Sequence, residues 1–155
     1  MDYDKELTAI QTWLKSTAGL ESFKRGINLK LSRPVVLFDS PGRSRSKHLT
    51  RYSYVQTVSM FGTLYVDSLD ECFIYQNALM QDLEDKCGVL DVFDGNGNLE
   101  GRLKNANLKF KEGDSLDVAF TLTYDVAYKR AGWDTVNPSI DDIHVALKVK
   151  PEERK

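Results

Sequence analysis

Between Leu116 and Tyr128, apolar or aromatic residues occupy every second position: Leu116, Val118, Phe120, Leu122, Tyr124, Val126 and Tyr128. The positions among them, Ser115, Asp117, Ala119, Thr121, Thr123, Asp125 and Ala127, are small or polar. A period of two predicts a long strand with one buried and one wetter face. Alternation this one-sided suits an antiparallel sheet better than a parallel sheet covered on both faces.

The rest of the chain reads in the same way. Tyr3, Leu7, Ile10 and Leu14, with Trp13 beside them, recur at spacings of three and four and predict an amphipathic helix over 3–16. Asp2 or Asp4 suits its start, and Gly19 its end. Residues 20–33 are mixed and basic and carry no clear period. Pro34 opens a short strand, Val35-Val36-Leu37-Phe38. Asp39 to Lys47, with Pro41-Gly42 inside it, reads as a loop. A second strand is expected from about 49 to 66, with Gly62 marking a bulge, a bend or the end of regular pairing. Ser68 and Glu71 form a capping box, and Leu69, Cys72, Phe73, Leu79, Met80 and Leu83 form the apolar stripe of a helix ended by Gly88. Val89 to Phe93, Arg102 to Phe110 and Leu116 to Tyr128 then form a three-strand meander turned at Asp94–Asn98 and Glu112–Asp114. A longer loop, 129–139, leads to a last strand in which Ile143, Val145, Leu147 and Val149 alternate with His144, Ala146 and Lys148. The predicted class is α+β: a mostly antiparallel β-sheet with two main helices packed on it and an extra C-terminal strand.

Composition narrows the function. At 155 residues the chain is expected to be a single domain, 1–155. The 21 basic and 23 acidic residues leave a net charge of −2, which argues against a general nucleic-acid binder but not against a local basic patch. No apolar run approaches the ~18 residues of a membrane helix, and the first residues lack the basic-then-apolar pattern of a signal peptide. Cys72 and Cys87, at the two ends of one helix, fall roughly 22 Å apart at 1.5 Å per residue, so they read as two buried, reduced thiols suited to a reducing cytosol.

No catalytic or metal-binding constellation and no cofactor motif emerges. Counted from Asp94, a calcium loop needs Gly at its sixth position and Glu at its twelfth, where this chain has Leu99 and Asn105. Gly42–Lys47 lacks the second glycine of a phosphate loop. His48 and His144 have no partner at ligand or triad spacing. Two features fit binding. Arg43, Arg45, Lys47 and Arg51 lie within nine residues, where they form a solvated loop whose charges discourage aggregation, or a hairpin tip aims them at DNA phosphates or at an acidic neighbouring subunit. As exposed charges, Arg43 and Arg45 are expected to tolerate reversal to Glu without loss of folding. Trp133 is a candidate interface anchor or a cover for the sheet edge of its own subunit.

The element order, with phrases such as Arg33-Pro34-Val35-Val36-Leu37-Phe38, Val55–Gly62, Ser68-Leu69-Asp70-Glu71 and Phe120–Val126, resembles the tail terminator and tail-completion family of long-tailed bacteriophages, which includes head-to-tail joining proteins. The resemblance spans roughly residues 3–130, and 131–155 extend beyond it. It implies a structural virion protein without enzymatic activity, assembled as a hexameric ring that caps the tail tube, stops tail polymerisation and presents a joining surface to the head. The implied partners are further copies of the chain, the tail tube protein, the head connector protein and DNA in the central channel, with no membrane. The implied location is the head–tail interface of the virion, after synthesis in the host cytoplasm. On this reading Arg43, Arg45, Lys47 and Arg51 line the channel or dock on a neighbour. Ile143, Val145 and Leu147 pair with their own sheet or with the next subunit. The alternatives are another head–tail connector or minor capsid subunit, or a small α+β binding module unrelated to phage.

Overall fold

The computed structural model describes residues 3–26 and 32–130. In chain order it contains α1 (Tyr3–Ala18), β1 (Glu21–Lys24), β2 (Val35–Phe38), β3 (Gly42–His48), β4 (Ser53–Tyr65), α2 (Leu69–Asp85), β5 (Leu90–Phe93), β6 (Leu99–Phe110) and β7 (Asp117–Lys129). The expected C-terminal strand with Ile143, Val145 and Leu147, and Trp133 before it, lie outside the described residues.

The two longest strands carry the sheet. β4 and β7 pair antiparallel along their whole 13 residues, from Ser53 opposite Lys129 to Tyr65 opposite Asp117. The path across the sheet is β1-β2-β4-β7-β6-β5, with β3 added on β4. β2 and β3 share one edge of β4: β2 takes residues 62–65 and β3 takes residues 54–59. Every pairing is antiparallel except β1 with β2. The fold is therefore α+β with a mostly antiparallel, curled sheet.

The alternation of β7 translates directly into burial. Val118, Phe120, Leu122, Tyr124 and Val126 are buried, together with Val58, Met60 and Leu64 of β4, under Leu7, Ile10, Trp13 and Leu14 of α1 and Cys72, Leu79 and Leu83 of α2. The opposite face of these strands carries Thr57, Ser59, Thr63, Thr121, Thr123 and Asp125, none of them buried. Ser68 caps α2 by accepting a hydrogen bond from the Glu71 amide at 3.2 Å. Trp13 Nε1 donates to Asp82 Oδ2 at 2.7 Å and ties the two helices together. Bond donation by Trp13, Lys86 and Thr17 outweighs the burial that would raise the Asp82 pKa, and holds it below its ordinary value.

Several expectations are corrected. The segment read as a loop at 39–47 is largely strand β3, and β4 starts at Ser53 rather than near 49. The polar run Gly-Arg-Ser-Arg-Ser-Lys pairs because β4 extends far past β2 and leaves backbone donors and acceptors that β3 satisfies, with a register shift between Arg43 and Ser46. A short strand forms at 21–24, in the stretch without a period. Gly62 is not a bulge: it pairs regularly with Phe120 of β7, while on the opposite edge its pair with Phe38 is the last of the β2 ladder, so regular pairing ends there on that side. A side chain there would meet the Phe120 ring at 2.6 Å and the Leu37 carbonyl at 2.9 Å. On α2, Leu69, Phe73 and Met80 stay exposed, because the buried arc stops at Cys72, Leu79 and Leu83. Cys72 is a buried free thiol, whereas Cys87 is exposed, in the turn that ends the helix.

Candidate functional site

Glu6 stands on the apolar arc of α1, three residues after Tyr3 and four before Ile10. Helix geometry therefore drives its carboxylate into the core, where it is 0% exposed. An unpaired buried charge would be very costly. Here it is paired from two strands. Tyr124 and Tyr128, four apart on the core face of β7, donate to Glu6 Oε1 at 2.9 Å and Oε2 at 2.5 Å. Arg43 of β3 donates from Nη2 to Glu6 Oε2 at 3.2 Å. Its Nη1 donates to Tyr128 Oη at 2.7 Å and to Gln56 Oε1 at 3.3 Å. Among the described residues, no buried side-chain nitrogen or oxygen lacks a partner.

The electrostatics follow from this closure. Burial pushes the Tyr124 phenol well above its ordinary range, and the Glu6 charge adds to it. Burial and the bond to Glu6 push Tyr128 up to about 12. Burial would lower the Arg43 pKa, but the bond to Tyr128 and the attraction of Glu6 outweigh it, so the pKa rises. The set gathers two phenols held protonated and one guanidinium around the Glu6 carboxyl group. Its donors and acceptors answer one another, which makes it an anchor of α1 on the sheet.

The network continues outward as a ladder of rings and cations. The Arg43 guanidinium lies 5.6 Å from the centroid of Tyr128, whose ring stacks on Tyr54 at 5.7 Å. Arg130 lies over Tyr54 at 5.3 Å and meets His48 Nδ1. Arg51 lies over Tyr52 at 5.6 Å.

Of the four predicted cations, Arg43 and Lys47 lie on opposite faces of β3. Arg43 is opposite Val58, on the core face. Lys47 is opposite Val55, on the other face, and is exposed. Arg51 sits in the turn between β3 and β4, and Arg45 lies in β3, its side chain outside the description. Sequence reasoning missed Glu6. The readable signal was a carboxylate inside an apolar stripe, together with two tyrosines on the buried face of the longest strand.

A second feature is a groove of about 650 Å³ between α1 and β5. Thr8, Thr12 and Ser16 form its helical wall, and Val89 to Asp94 line it consecutively. No cluster of three or more metal-ligating side chains occurs among the described residues, and no helix among them is long and apolar enough to cross a membrane. Compared with protein-family models and with curated proteins, the sequence finds no match.

Proposed function

We propose that this protein is a structural virion subunit of the tail-terminator kind. In this reading it forms a hexameric ring at the head–tail interface, caps the tail tube and ends its polymerisation. The supporting observation is the element order: an amphipathic first helix, a strand opening after Pro34, a long β4, a capped α2 and the antiparallel β6–β7 pair. That is the order the resemblance implies. Glu6, buried among the described residues, serves to anchor α1 on the sheet. Arg43 is committed inward, so on this reading contact with a neighbouring subunit or channel DNA falls to the other cations of the set.

The test is light scattering on the purified protein, with electron micrographs of the same sample alone and beside tail tubes. Six-fold rings with a central hole are expected. A particle with the mass of a single chain, at high concentration and with tubes present, would overturn the reading. The α1–β5 groove favours a second reading, a small binding module, which that outcome would promote.

A further inference from the structure

β5 ends the sheet: it pairs with β6 on one side and with no other described strand. A strand that offers one face to a cavity lines it with every second residue. β5 and its flanks line the α1–β5 groove with six consecutive residues, Val89 to Asp94, so the strand presents its edge there. An open edge beside a groove is the geometry of strand addition.

The chain itself carries a matching segment. Residues 143–149 alternate Ile143, Val145, Leu147 and Val149 with His144, Ala146 and Lys148. They follow a connector, 131–142, that spans up to about 40 Å when extended. Charge fixes a direction. Asp141-Asp142 precede the segment and Lys148 closes it. At the groove, Lys86, paired with Asp82, lies just before β5, and Asp94, whose carboxylate also accepts from the Asn96 and Asn98 amides, just after it; between them Asp91 and Arg102 pair with each other, and Lys5 lines the α1 wall. A parallel alignment sets Asp142 toward Lys86 and Lys148 toward Asp94, whereas the antiparallel one opposes like charges.

We propose that the open edge of β5, in the groove under α1, receives residues 143–149 of a second copy of this chain as an added parallel strand. The proposal rests on the ring reading, because a head-to-tail strand exchange of this kind closes a ring through heterologous contacts.

Two full-length chains with different tags, one carrying Lys148→Arg and the other Asp94→Asn, are co-expressed and treated with a carbodiimide. A Lys148–Asp94 amide bond in that sample can form only between chains, and it is expected, together with Asp142–Lys86 bonds. In parallel, amide exchange at Leu90–Phe93 is measured in the unmodified protein and in full-length V145D/L147D. The unmodified protein is expected to exchange about tenfold or more slowly there. Lys148–Asp94 bonds that appear in the unmodified protein but vanish in the co-expressed pair place the segment on its own sheet and overturn the proposal. Equal exchange at β5 in both proteins also overturns it. If rings form while β5 exchanges freely, the strand assignment fails and the ring reading stands. If no ring forms and the bonds are within one chain, both fail.

Discussion

At the residue scale, Glu6 decides how β3 should be probed. Glu6→Ala leaves a half-buried guanidinium and two phenols without their acceptor. Breaking a buried pair in this way costs about 3–5 kcal/mol. Glu6→Gln keeps the volume and some of the bonds and should cost about 1–3 kcal/mol. Urea denaturation checks the order. The sequence expectation that Arg43→Glu leaves folding intact is revised on the same ground. The new carboxylate would face Glu6, and because Arg43 is 31% exposed the cost should be about 2–4 kcal/mol. A loss of assembly in that variant would therefore say nothing about DNA. Lys47→Glu, on the open face, is the cleaner probe. The tyrosines set an alkaline limit. In the unfolded chain Tyr128 ionises near 10.0, and in the fold near 12. Below pH 10 both states keep the proton and the contribution to stability is complete. As pH climbs from 10 toward 12 only the unfolded state releases it, so stability falls by up to about 1.4 kcal/mol per pH unit for this group. Tyr128→Phe should flatten that decline in denaturation midpoints measured from pH 9 to 12.

At the element scale, the legible parts were those whose burial follows from their own period. α1, α2 and the β5–β7 meander announce themselves because one face of each is apolar, and β2 because it is apolar throughout. β3 does not. Its pairing comes from the length of β4, the strand that follows it across a short turn, and the polar edge it forms is suited to resisting further association. β1 is four residues long and leans on β2. The apolar arc of α2 was legible, but not how much of it the sheet would cover: Phe73 remains 58% exposed. Gly62 was legible as an end of pairing, which holds on the β2 edge, but not as a packing position. Its neighbours across the sheet, Phe38 and Phe120, meet edge to face at 5.9 Å, and the bare backbone leaves room for the Phe120 ring. Gly62→Ala should cost about 1–3 kcal/mol through overpacking. A trimmed ring in the double variant Gly62→Ala/Phe120→Leu should recover part of it, as thermal denaturation would show.

For the whole molecule, the sheet has helices on one face, while the other carries threonines and serines with Val55, Phe61 and Tyr65 among them, so its two sides differ chemically. Deleting residues 140–155 should leave the described fold intact and reduce any ring to single subunits in light scattering. A truncated chain that keeps its oligomeric state would remove the C-terminal segment from the assembly account. The Glu6 anchor also has a consequence for synthesis. Its phenol partners lie 118 and 122 residues downstream. At about 5–20 residues per second, the ribosome delivers them roughly 6–24 s after Glu6 itself. Through that interval the first helix has a charge it cannot bury, so α1 has no settled seat until the last described strand has been made. Nascent chains stalled before Tyr124 should be cut readily by protease within α1, and chains that have released Tyr128 should resist. The seating of the first turn of α1 is thereby tied to completion of the last described strand.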